Sequence, residues 1–247
     1  MNWKKKLATY ASLTVLATFI IHIINKLIYF MSTIDNLLGR KEGLYYEWRF
    51  GKIFYTKEGT GKPILLIHDL SACSSEYEWN RIVSDLSKKN TVYTLDLLGC
   101  GKSDKPNFTY TNFLYVQLVT DFINNVIGEK ADVIVTGNSC SFVLMACHNN
   151  DEIIDRILLI NPPSISSISK VPTKRTKMLK FIINIPFIGT LLFNLLHSKD
   201  SIEQTFMTEY FYNPQFVDDE IVKTYCESAQ ISKTQSKYLF ASIKGKY

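Results

Sequence analysis

A β-branched run that ends in a tight polar turn and passes at once into an apolar, helix-compatible stretch constrains this chain more than any other feature. It reads Val133-Ile-Val-Thr-Gly-Asn-Ser139-Cys-Ser-Phe-Val-Leu-Met-Ala146. A serine between small residues at a strand-to-helix corner can be held on a strained turn. Its hydroxyl then projects beside the first N–H groups of the new helix. Ser139 is therefore a candidate nucleophile. The same letters also serve a plain polar turn, because Asn and Ser are good helix N-caps.

The surrounding pattern decides what kind of sheet this corner belongs to. Residues 46–56 alternate and bend at Gly51, as in a hairpin. Residues 64–68, 91–96, 131–136 and 157–160 are short apolar runs, expected for strands buried on both faces. Helical spacing lies between them at 76–88, 112–127 and 141–149. This alternation predicts an α/β fold, a mostly parallel sheet flanked by helices, over residues 45–163. Ligands in such sheets sit at the carboxyl ends of the strands. Three turns fall there: His68-Asp69-Leu70, Asp96 to Gly101, and Gly137-Asn138-Ser139. Beyond Pro163 the character changes. Helices are expected at 174–196, broken at Pro186 and Gly189, and at 201–212, 214–228 and 232–243. Residues 164–247 thus read as a helical lid. Its aromatics (Phe181, Phe187, Phe193, Phe206, Tyr210, Phe211, Tyr212) are open to two uses, lining an apolar pocket or packing the lid itself.

The N-terminus is a separate object. Residues 7–24 hold 18 residues without a formal charge, after Lys4, Lys5 and Lys6. About 20 such residues cross a hydrocarbon core. Residues 1–35 therefore read as a single-pass membrane-anchor helix. A cleaved signal lacks its small-x-small site, and an amphipathic surface helix is the other alternative. The basic flank places the N-terminus inside and the body outside the cytoplasm, although Lys26, Arg40 and Lys41 lie on the far side. The net charge of +5 is concentrated at the chain ends. No basic stripe is interleaved with aromatics, so nucleic acid is not an expected partner. The five cysteines form no CxxC pair, and no acidic cluster or His pair has ligand spacing. No disulfide framework, metal or organic cofactor is expected.

Three motifs, in order, resemble the α/β-hydrolase superfamily, specifically its lidded serine hydrolases. They are Ile67-His68-Asp69-Leu70, Asp96-Leu-Leu-Gly-Cys-Gly-Lys-Ser-Asp104 and Gly137-Asn-Ser139-Cys-Ser141. The resemblance covers about residues 45–247. It implies Ser139 as nucleophile, with the backbone N–H groups of Leu70 and Cys140 as an oxyanion hole. His68 and Asp96 would support the loops. Asp69 and Ser141 stand where the family has glycine. In this superfamily an acid and then a His follow the serine. Here His22 lies in the N-terminal segment. His148 is nine positions past Ser139, about 13 Å along one helix. His197 is in the lid, where only an unusual fold-back would bring it near, and Asn161 is not an acid. The expectation is a C-terminally incomplete copy, with the last core strands, the acid and the His beyond residue 247. The expected activity is cleavage of a carboxylic ester, or an amide or thioester, in a small substrate with apolar groups. The alternative is a non-catalytic binding or interaction protein of the same fold.

Overall fold

The structure, a computed structural model, describes residues 3–169 and 171–246. It begins with a long helix, Trp3–Thr33 (α1), and a hairpin, Leu44–Trp48 (β1) and Gly51–Glu58 (β2). Lys62–Ile67 (β3), Asn90–Leu95 (β4), Ala131–Thr136 (β5) and Ile154–Ile160 (β6) complete one six-stranded sheet in the order β1-β2-β4-β3-β5-β6. The pairs β1–β2 and β2–β4 are antiparallel, and β4–β3, β3–β5 and β5–β6 are parallel. The sheet is therefore mixed and mostly parallel.

The apolar run in β3 shows why helices must cover both faces. Leu65 and Ile67 pack with Val133, Val135, Tyr115 and Phe142 on one side. Ile64 and Leu66 pack with Trp79, Val83 and Val92 on the other. Side chains alternate across a strand, so a strand with no polar face needs two covering layers. One layer is the turn Glu76–Trp79 with the helix Asn80–Leu86 (α2). The other is Asn112–Phe122 (α3) with Ser139–Asn149 (α4). At about 25 cal/mol per Å² of apolar surface, this double burial is the main stabilising term of the body.

Among the described residues, everything after β6 is helical or turn. Ile165–Ile168 (α5), Lys174–Asn184 (α6), Ile188–Leu196 (α7), Lys199–Thr205 (α8), Asp219–Gln230 (α9) and Lys237–Gly245 (α10) follow in order. The break expected at Pro186 and Gly189 is a turn of 104° between α6 and α7. Phe187 takes φ +61° at that corner. A Cβ on Gly189 would lie 2.0 Å from the Ile183 carbonyl oxygen, so only glycine lets the two helices approach this closely. The helix expected from Ser232 begins later, at Lys237. Ser232, Lys233 and Thr234 all have positive φ, which excludes them from a right-handed helix.

The N-terminal segment is one apolar helix, as expected, and the apolar window that suits a membrane span has no buried residue. Its carboxyl-terminal third is not free of the body. Asn25 Nδ2 donates to the Phe187 carbonyl at 3.0 Å, and Asn25 Oδ1 accepts from Asn194 Nδ2 at 3.0 Å. The His22 ring meets the Phe187 ring edge-on. Just past the helix, the Glu227 carboxylate on α9 accepts the N–H of Leu37 at 2.7 Å and of Leu38 at 3.3 Å. Leu38 and Glu227 are both buried. Removing that acceptor strands buried N–H groups. Glu227→Ala is expected to lower stability by about 2 to 3 kcal/mol. It should also speed amide exchange selectively at residues 34–41, as read by hydrogen–deuterium exchange.

Candidate active site

The carboxyl ends of β3, β4 and β5 lie side by side, and the loops leaving them are tied together by side chains. His68 is fully buried just past β3. Its Nε2 accepts the Leu97 N–H at 3.0 Å, and its Nδ1 lies 2.7 Å from the Asp69 carbonyl oxygen. An acceptor at Nε2 and a carbonyl at Nδ1 assign the proton to Nδ1. Both ring nitrogens are therefore used in joining two loops. Asp96, also fully buried, accepts the N–H of Glu76 and of Lys102, each at 2.7 Å. It holds the loop after β4 against the start of the Glu76 turn.

The corner after β5 is organised around a carboxylate. Gly137 takes φ +55°, and a Cβ there would fall 2.3 Å from Asp69 Oδ1. Asp69 Oδ1 accepts the backbone N–H of Asn138 at 2.7 Å and its Nδ2 at 3.2 Å. The Leu70 N–H also favours the charged form of this carboxyl. Burial nevertheless holds its pKa above the ordinary aspartate value. Glu78 lies behind it. Its Oε2 accepts the Asp69 N–H at 3.1 Å and the Thr136 hydroxyl at 3.2 Å, and burial raises its pKa as well.

Ser139 is the first residue of α4, two residues earlier than the helix expected from Ser141. It is fully buried, and its Oγ donates to the His68 carbonyl at 2.6 Å. The Cys140 N–H donates to the Gly137 carbonyl at 3.2 Å within the turn. Its thiol is buried, with its pKa raised by burial. Leu70 lines the cavity described next. In this conformation the positive-φ residue of the corner is Gly137, and the hydroxyl of Ser139 faces the backbone of the neighbouring loop.

A cavity of about 1000 Å³ lies between these loops and the helices after β6. Asp69, Leu70, Glu78, Gly137 and Asn138 form its floor, and Leu196, His197, Phe206, Tyr210, Tyr225 and Phe240 supply much of its wall. Of the aromatics expected to line a pocket or pack the lid, Phe206 and Tyr210 reach the cavity. Phe193 is core, Phe211 packs on Phe206, Phe181 and Tyr212 are exposed, and Phe187 meets the His22 ring of α1.

His197 lies in the lid, as read from the sequence, and its ring becomes part of the cavity wall. It is stacked on Phe193 at 4.1 Å and edge-on to Phe240 at 4.7 Å, with Nδ1 2.9 Å from the Phe193 carbonyl. Glu78 had no signal in the sequence. It sits in a Glu-Tyr-Glu-Trp run that reads as the solvated start of a helix.

Burial holds the His197 pKa down to about 4, against 6.5 for a free imidazole. Between those values the unfolded chain takes up a proton that the folded protein refuses. The contribution of the neutral ring is complete above pH 6.5 and is lost as pH falls toward 4. His197→Phe keeps the ring stack and removes the titration. Denaturant melts should show the wild type losing about 3 kcal/mol more than the variant across that window.

The sequence of residues 64–241 matches the model of the "Alpha/beta hydrolase family". The chain is 34% identical over 86 residues to a 2-hydroxy-6-oxo-6-(2'-aminophenyl)hexa-2,4-dienoic acid hydrolase of Metapseudomonas resinovorans. That alignment spans 34% of this chain and only 29% of the relative. Among solved structures it is similar to the epoxide hydrolase CorEH, with a TM-score of 0.64 and 18% identity over 83% of this chain and 73% of that one. It is also similar to CarC, a serine hydrolase involved in carbazole degradation, with a TM-score of 0.63 and 17% identity over 82% of this chain and 68% of that one. The sheet order, the loops gathered at the carboxyl ends of β3 and β5, and the family match over most of its length place this chain in the α/β-hydrolase family.

Proposed function

We propose that this chain is the core of a hydrolase that attacks the carbonyl of an ester, or of an amide or thioester, with Ser139 as the nucleophile. The observation that carries the reading is the corner Gly137-Asn138-Ser139, which leaves a central parallel strand beneath a 1000 Å³ cavity with an aromatic wall. The substrate of the Metapseudomonas relative combines an oxo group with an aminophenyl ring, as its name states. A carbonyl beside a bulky apolar group is also what this cavity suits. Catalysis would require the Ser139 hydroxyl to leave the His68 carbonyl, turn toward the cavity and give its proton to a general base. As the tetrahedral intermediate forms, its oxyanion needs N–H donors that no other anion occupies. The Leu70 N–H now faces Asp69, and the Cys140 N–H is engaged by the Gly137 carbonyl. That arrangement favours a second reading, a protein that binds an apolar ligand in the same cavity without turning it over.

A fluorophosphonate probe separates the two. Labelling of the full-length protein that disappears in Ser139→Ala supports the nucleophile, and labelling that survives the substitution overturns it. Asp69→Gly removes the competing carboxylate and should raise the labelling rate by about tenfold or more, since a single oxyanion donor is worth about 100-fold in related chemistry. Under the binding reading neither variant is labelled, and a fluorescent fatty-acid analogue binds the wild type and Ser139→Ala equally.

A further inference from the structure

The outward face of α6 and α7 carries exposed apolar side chains that the sheet does not use, and its far end, at Leu196, borders the cavity. Phe181 is 69% exposed, Met178 62% and Ile188 54%. Leu195 and Leu196 continue the surface at the far end of α7, each about half exposed. Contiguous apolar patches of this kind on a folded body mark an interaction site. The same stretch is basic. Residues 171–199 contain no Asp or Glu, while Lys174, Arg175 and Lys177 are exposed on the first turns of α6. Lys174, Lys177, Met178 and Phe181 follow helical spacing, so charge and apolar bulk share one face.

The position of this face relative to α1 says what covers it. The uncharged part of α1 ends at Asn25, immediately before Lys26. Leu7 to Asn25 is 19 residues of helix, about 28 Å at 1.5 Å per residue. A hydrocarbon core is about 30 Å thick. The body grips α1 at the end of that length, through Asn25, Phe187 and Asn194. A helix spanning a bilayer over its exposed stretch would therefore deliver the α6–α7 corner to the headgroup region.

We propose that the α6–α7 corner docks on the surface of an anionic phospholipid bilayer, the same bilayer that α1 enters. The inference rests on the reading of α1 as a membrane span and is independent of whether Ser139 is a nucleophile. Phe181, Met178 and Ile188 insert at the acyl boundary, and Lys174, Arg175 and Lys177 meet the phosphates. Interfacial elements of this composition gain from both terms. Leu196 and His197, at the end of α7, line the cavity. The docked element is thus also part of the cavity wall.

The test places the photoreactive residue p-benzoylphenylalanine at single positions in the full chain, reconstituted into phosphatidylcholine–phosphatidylserine vesicles. Position 16 reports α1, position 181 reports the corner, and position 151 lies at the opposite, amino-terminal end of the strands. Docking predicts lipid adducts at 16 and 181 and none at 151. Lys174→Glu combined with Lys177→Glu should lower the adduct at 181 severalfold and leave that at 16 unchanged. An adduct at 16 without one at 181 shows an anchored body that stands clear of the surface, and overturns the proposal. No adduct at either position overturns it together with the membrane reading of α1. An adduct at 181 that ignores the charge reversal refutes the role of the basic residues.

Discussion

Burial of the central strands on both faces is the constraint from which the rest of this structure follows. β3 offers no polar side chain between Ile64 and Ile67, and the buried Val92 and Leu95 of β4 and Val133 and Val135 of β5 flank it. Such strands persist only with helices on both sides, which forces crossover connections and parallel pairing. Polar chemistry is then pushed to the strand ends. His68, Asp96 and the Gly137 corner all lie at the carboxyl ends, while the buried Thr94 within β4 is satisfied by the Thr56 hydroxyl across the sheet. The two loop ties, from the His68 ring to Leu97 and from the Asp96 carboxylate to Glu76 and Lys102, keep those ends at fixed separations.

Within that frame the candidate site is a contest for N–H donors. A helix N-terminus at the end of a buried strand attracts negative charge. Here the chain supplies its own charge, Asp69, at the position where the family resemblance leads one to expect glycine. The carboxylate is stabilised by Asn138 and Leu70 and opposed by its own burial. Glu78, immediately behind, receives the Asp69 N–H. Two carboxyl groups, each with its pKa raised by burial, thus line the floor of one cavity.

What could be read from the sequence was whatever depends on local period. The strands at 64–67 and 131–136, the hairpin bend near Gly51 and the break after Pro186 follow from alternation, helical spacing and backbone restriction, and all are present. Start points were harder to read. Asn138 and Ser139 are good caps, and which of them precedes the helix depends on the Asp69 carboxylate, 69 residues away in the chain. The left-handed run Ser232-Lys233-Thr234 carries no glycine and so left no local mark. His197 reaches the cavity because the α7–α8 junction turns beneath Phe240, a contact that no window of sequence contains. The grip on α1 was hidden for the same reason. Asn25 and Asn194 are 169 residues apart, and each alone reads as a tolerated polar residue in an apolar helix.

That grip sets a mechanical limit. Asn25 holds α7 at two points, the carbonyl of Phe187 before its first turn and the side chain of Asn194 two turns later. While both bonds last, the start and the last turn of α7 stay joined through one α1 side chain. The N-terminal helix therefore cannot part from the body without disturbing the helix whose end, Leu196, lines the cavity.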